Sequence, residues 1–121
     1  MESIIEKKSY DFALNCLKAG KKIQSEMKEY HVSQQFIKSA TSIGANVREA
    51  NSGESLKDFA HKMTIALKEA SESNYWCCLL KDSGLITEDE GNKLIKDSME
   101  LRRILGRIVN TTRAKIRSKE S

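Results

Sequence analysis

The sequence predicts an all-α fold, an antiparallel up-down-up-down four-helix bundle, on three observations. Proline is absent from the 121 residues and glycine is sparse, so little interrupts helix formation. Apolar residues recur at three- and four-residue steps along most of the chain, the spacing of a helical face, and never alternate for long. Only three short polar breaks separate these runs, and turns that short make neighbouring helices run antiparallel.

The first helix is expected over residues 3–30, with Ile5, Phe12, Ala19, Ile23, Met27 and Tyr30 on its buried face. The stretch "EYHVS" (Glu29–Ser33) breaks the pattern, and Ser33 is suited to cap the second helix. That helix presents Phe36, Ile37, Ala40, Ile43, Gly44, Val47 and Ala50. A second turn, "NSGES", leads to Ser55, which with Asp58 forms a capping-box start for the third helix. Here the apolar set repeats by sevens, Leu56, Met63, Ala70 and Cys77 with Phe59, Ala66, Ser73 and Leu80 between. A sustained period of that kind implies left-handed supercoiling against neighbours crossing at about 20°. Gly84 closes the helix, and Thr87 with Glu90 opens a fourth whose inner face is Leu94, Ser98, Leu101, Leu105, Ile108 and Thr112. The bundle domain is placed at residues 1–116, with 117–121 as a frayed basic tail.

Inside the second helix, "SIGANVREAN" (Ser42–Asn51) holds a Gly and two Asn, all poor helix formers. Gly44 falls on the apolar face, which points to close approach of another helix; an anion-cradling loop would instead lie between strand and helix. Asn46, Arg48 and Glu49 of this stretch, with Glu69, Glu72 and Asn74 of the third helix, are candidates for a polar network within the bundle that fixes its register. The functional alternative is a carboxylate pair in acid–base work, carried by Glu49, Glu69 or Glu72.

The segments "SATSIGANVREA" (Ser39–Ala50) and "FAHKMTIALKEASESNYWCCLL" (Phe59–Leu80), with the "SGLIT" turn, resemble the bacterial 23S rRNA intervening-sequence proteins. The resemblance covers nearly the whole chain and is most specific at Ile43–Asn46, Glu49-Ala50, Ala66–Ala70, Glu72, Tyr75 and Trp76. It implies a homopentamer of antiparallel four-helix bundles, with no catalytic motif to carry over. A similar fold is implied for the basic, pentameric accessory protein of diversity-generating retroelements, which associates with nucleic acid. Two departures stand out: Cys77-Cys78 occupies a site where Leu and a polar residue are usual, and Lys38 one where Arg is common.

Beside the bundle seams, the wheels leave apolar residues unaccounted for: Tyr10, Leu14 and Leu17 on the first helix, and Ile65, Trp76 and Leu79 on the third. One bundle buries one stripe per helix, so a second stripe calls for a further partner, here a second copy of the chain. Scattered surface apolars are the plainer alternative.

Charge is distributed unevenly. Residues 1–99 hold 14 Lys or Arg against 15 Asp or Glu, and residues 100–121 hold seven against two, so the net +4 arises from the last segment. Advancing about 100° per residue puts Arg102, Arg103, Arg107, Arg113 and Arg117 in one arc of about 140°, opposite the leucines. Solvated faces usually mix signs, and the guanidinium fork suits phosphate. Backbone contact with RNA or DNA is the leading reading, and a face that docks an acidic protein partner is the alternative. A purely solubilising face is the plain one. No aromatic residue interleaves the arginines along the helix, so the sequence gives little support to a base-stacking, single-strand site.

Other chemistry is not signalled. His31 and His61 pair with no Cys or carboxylate at ligand spacing, and the Glu-x-x-His pattern of ferritin-like bundles does not occur. No catalytic residue, metal, cofactor or small-molecule substrate is nominated, and the expectation is a protein without enzymatic activity. The opening "MESIIEKKSYDF" lacks the apolar run of a signal peptide, and no stretch approaches 18 apolar residues, so no membrane association is expected. Three cysteines, Cys16, Cys77 and Cys78, an odd number within helical patterns, fit reduced thiols and a cytoplasmic location.

Overall fold

In the computed structural model, which describes residues 3–120, four helices follow in order: α1 (Ile4–Met27), α2 (His31–Asn51), α3 (Leu56–Asp82) and α4 (Glu88–Glu120). No strand occurs among the described residues. Residues expected as a frayed tail continue α4 through Glu120, where Lys57 pairs with the Glu120 carboxylate at 3.0 Å. Ser121 of that tail, and Met1 and Glu2 of the expected domain, lie outside the described residues.

The caps explain the boundaries. The Ser3 hydroxyl accepts the Glu6 amide at 3.2 Å to start α1, and Lys28 takes the left-handed conformation, φ 56°, to end it. Ser33, expected to cap α2, is buried inside that helix and donates its hydroxyl to the Glu29 carbonyl at 2.7 Å. The capping work falls to Glu29, whose carboxylate accepts the Val32 and Ser33 amides at 3.0 and 2.9 Å. Those two amides have no intrahelical partner, and a negative charge suits the positive end of the helix. The Val32 amide, chiefly, holds the Glu29 carboxyl below its ordinary range. Ser55 and Thr87 act as expected: Ser55 Oγ accepts the Asp58 amide at 3.1 Å, and Thr87 exchanges bonds with Glu90 at 3.1 and 3.4 Å. Between them Gly84, at φ 80°, makes the turn that a side chain would strain.

Contacts pair the helices antiparallel. Glu49 reaches Lys62, Ser39 reaches Ser73, Thr64 reaches Arg113 and Asn74 reaches Ser98. The seam between α1 and α4 is the loosest of the four. Phe12, Phe36, Ile43, Met63, Leu80, Leu101 and Leu105 fill the centre with essentially no exposed surface. On α1 the core face departs from expectation. Met27 and Tyr30 are about half exposed, at 52% and 51%, at the end of the bundle where α1 stops and α2 begins. Small residues take the seam instead: Ser9, Cys16 and Gly20 are buried.

Gly44 lies across from α1, and a Cβ built there would meet the Ser9 carbonyl oxygen at 3.5 Å, an ordinary contact. The approach is close, yet alanine would fit. Steric need is sharper at two other glycines. A Cβ on Gly20 would overlap Ile37, and one on Gly91 would come within 2.6 Å of Lys81 Cγ. Buried hydroxyls are satisfied within the helices or across them, as Ser73 to Ser39 at 3.0 Å, and among the described residues no buried side-chain polar atom lacks a partner.

Candidate nucleic-acid interface

The inner face of α4 is apolar because Leu94, Leu101, Leu105 and Val109 recur at three- and four-residue steps, joined by Gly91, Ser98 and Thr112. Ile108 is half buried. Burying that stripe fixes the rotation of the helix, and Arg102, Arg103, Arg107, Arg113 and Arg117 are consequently all exposed. Acidic residues fill the first turn of α4 and basic ones the last, which matches its dipole.

Arg113 and Arg103 make intramolecular contacts. Arg113 Nη2 donates to Thr64 Oγ1 on α3 at 3.2 Å, which holds the guanidinium against the α3–α4 edge. Arg103 lies 3.8 Å from Glu100, a carboxylate three residues back on the same helix. Glu100 is already bonded to Lys8 at 2.8 Å, which lowers its carboxyl below the ordinary range. A long, exposed contact to a shared carboxylate is worth well under about 1 kcal/mol, so Arg103 remains available. Arg102 and Arg107 have no ion pair or hydrogen bond to the described residues.

The six candidate network residues do not converge. Asn46 donates to the Ser42 carbonyl of its own helix, Arg48 is exposed, and Glu49 pairs with Lys62 at 2.8 Å on the surface. Glu72 accepts from Trp76 Nε1 at 3.3 Å, and Asn74 donates to Ser98 at 3.0 Å. Partial burial of Glu69, and then the nearby Glu72 charge, raise its carboxyl above the ordinary range, opposed by Lys38. The polar residues buried between α2 and α3 are serines, Ser39 with Ser73, whose small hydroxyls carry no charge or amide to mark them in the sequence. Among the described residues no group of three or more His, Cys, Asp or Glu is placed to hold a metal ion. The cleft between α1 and α4 is lined by Lys8, Asp11, Lys93, Asp97 and Glu100, and is laced by its own ion pairs, Lys8–Glu100 and Lys93–Asp97, each at 2.8 Å.

Of the second apolar stripe, Tyr10 is 56% exposed, and Leu14, Leu17 and Leu79 also face outward. Ile65 and Trp76 are half buried, Trp76 because it packs against the core of its own bundle. Exposed apolar side chains that the wheels did not single out include Ile4, Tyr75 and Met99. No helix is long and apolar enough to cross a membrane, among the described residues.

The family model for the 23S rRNA-intervening sequence protein matches residues 1–107. The chain belongs to that family. A crystal structure of a family relative supports the same fold: a protein of unknown function from the S23 ribosomal protein family of Bacteroides thetaiotaomicron VPI-5482 superposes with a TM-score of 0.85. It is 40% identical, and the match covers 88% of this chain and 98% of the relative. No curated protein matches. The intervening-sequence match ends at Arg107, so Arg113 and Arg117 lie beyond it, while Arg102, Arg103 and Arg107 lie within it.

Proposed function

We propose that this intervening-sequence protein is a non-enzymatic, cytoplasmic, self-associating helical bundle that binds the phosphate backbone of nucleic acid, RNA first, through the arginine face of α4. The observation that carries the reading is the exposure of five arginines on one helix face, two of them with no partner among the described residues. Guanidinium groups so placed release counterions when phosphates replace them, whatever the base sequence. The names of the family and of its Bacteroides relative both refer to ribosomal RNA or ribosomal proteins, which favours RNA. Three free cysteines suit a reducing compartment.

Self-association is favoured by the outward strip of Tyr10, Leu14 and Leu17 together with Leu79. The resemblance implies five copies. In a ring the arginine face would repeat, and its field with it.

The test is binding of structured RNA across a salt series. The wild type is expected to show a steep fall of affinity with salt, and Arg103→Ala with Arg107→Ala to reduce the log–log slope by about 1.5 to 2. A flat wild-type response, or an unchanged slope in the double variant, overturns the proposal. Capture of an acidic protein that survives nuclease treatment, with no RNA affinity, would assign the face to protein docking.

A further inference from the structure

Along α4 itself no aromatic residue accompanies the arginines, but the fold brings one from α3. The fixed point is the bond from Arg113 to Thr64, which ties the two helices edge to edge. Tyr75 lies eleven residues after Thr64, and Arg102 eleven residues before Arg113. Eleven residues are about three helical turns, so each pair shares a face. Because α3 and α4 run antiparallel, the two offsets advance in the same direction, so Arg102 stands to Tyr75 as Arg113 stands to Thr64, on the same edge. The bond from Asn74 to Ser98, at 3.0 Å, sets the backbones side by side there, with Arg102 about one turn further along α4.

Between these two points the edge is low. Gly106 lies on this edge of α4, seven residues before Arg113, and a Cβ built there would meet nothing within 4 Å. The shallow step is bounded by Arg113 at one end and by Arg102 and Tyr75 at the other. Tyr75 is 59% exposed, yet its ring does not swing freely: it meets Trp76 edge-on, centroids 5.0 Å apart, and Trp76 is anchored to the core and to Glu72. A held, exposed ring beside cations is the usual platform for an unstacked base. Lys68, exposed on the outer side of α3, adds a positive charge along the step.

We infer that the α3–α4 edge is a site for an unpaired stretch of nucleic acid, with Tyr75 stacking one base, Arg102 holding a phosphate beside it, and Arg113, about three turns further along, holding a phosphate roughly two nucleotides away. The inference rests on the arginine reading above and narrows its ligand to RNA with a single-stranded element. A loop or overhang supplies the base; a blunt duplex cannot.

The probes are a fluorescein-labelled oligouridylate of about ten nucleotides, within the usual site size of a stacking groove, and a blunt RNA duplex. Tyr75→Ala is expected to weaken single-strand binding by about 5- to 150-fold, with the salt slope and duplex binding unchanged. Tyr75→Phe keeps the ring and is expected to bind as the wild type does. Thermal melts and solution mass accompany each variant. If Tyr75→Ala binds the single strand as tightly as the wild type, the stacking site is overturned, while a reduced slope in Arg103→Ala with Arg107→Ala leaves the arginine face standing. A change of solution mass in Tyr75→Ala assigns the ring to contact between copies and overturns the site. Absence of any RNA affinity in the wild type removes both readings together.

Discussion

Replacing glycine by alanine at two helical positions should move stability in opposite directions. Both Gly20 and Gly106 lie in mid-helix, where glycine costs about 0.5–1 kcal/mol relative to alanine. At Gly106 the new methyl group finds nothing within 4 Å, so the full gain is expected. At Gly20 it would overlap the Cγ1 and Cδ1 atoms of Ile37. Ile37 is β-branched and packs against the core, so it has little room to rotate away, and overpacking costs about 1–3 kcal/mol. Subtracting the propensity gain leaves a net loss of about 0.5–2 kcal/mol. At about 2 cal/mol/K of unfolding entropy per residue, 121 residues convert 1 kcal/mol into about 4 °C. Gly106→Ala is therefore expected to melt about 2–4 °C above the wild type, and Gly20→Ala about 2–8 °C below it. Thermal melts at fixed protein concentration measure both, concentration being held because self-association raises the apparent midpoint. A Gly20→Ala variant more stable than the wild type would refute the close approach of α1 to α2. A loss at Gly106 would refute the open α3–α4 edge.

Two further outcomes follow from the caps and the surface. Glu29→Gln should cost about 1 kcal/mol at pH 7, the usual worth of a helix cap. Because the folded carboxyl lies below its unfolded value, its stabilisation is complete above about pH 4.3 and disappears as pH falls through the folded value. Urea midpoints of wild type and variant should thus converge once the pH falls below the lowered folded value; a gap that persists in strong acid would refute the assignment. Charged substitutions in the outward strip, Leu14→Glu with Leu17→Glu, should lower the solution mass measured by light scattering while the helical circular dichroism persists. An unchanged mass places the contact between copies elsewhere.

The helices were legible because their signals are local. The sevenfold repeat of α3, the Ser55 and Thr87 boxes and Gly84 each act within a few residues of themselves, and each falls where the sequence places it. The α4 arginine face was legible for the same reason, since one helix carries both the buried stripe and its opposite. What depends on two helices was not. Ser9, Cys16 and Gly20 enter the core because α2 and the neighbouring seams leave only small spaces there, which an apolar count on α1 cannot register. Glu29 displaces Ser33 as the cap because the turn at Lys28 swings its carboxylate over the free amides of α2. The expected polar network dissolves into separate contacts, since residues that share a wheel sector need not share a height. The placing of Tyr75 relative to the arginines depends on the pairing of α3 with α4, which the bond from Arg113 to Thr64 marks.

The cysteines give the molecule an internal clock. Cys16 abuts Cys77 in the core with neither reaching the surface, and burial together with that contact raises the Cys16 thiol far above its ordinary range. Cys78 beside them is partly accessible. An alkylating reagent should therefore add one mass increment promptly and two more only when the helices part, so that the lag between them times the opening of the native state.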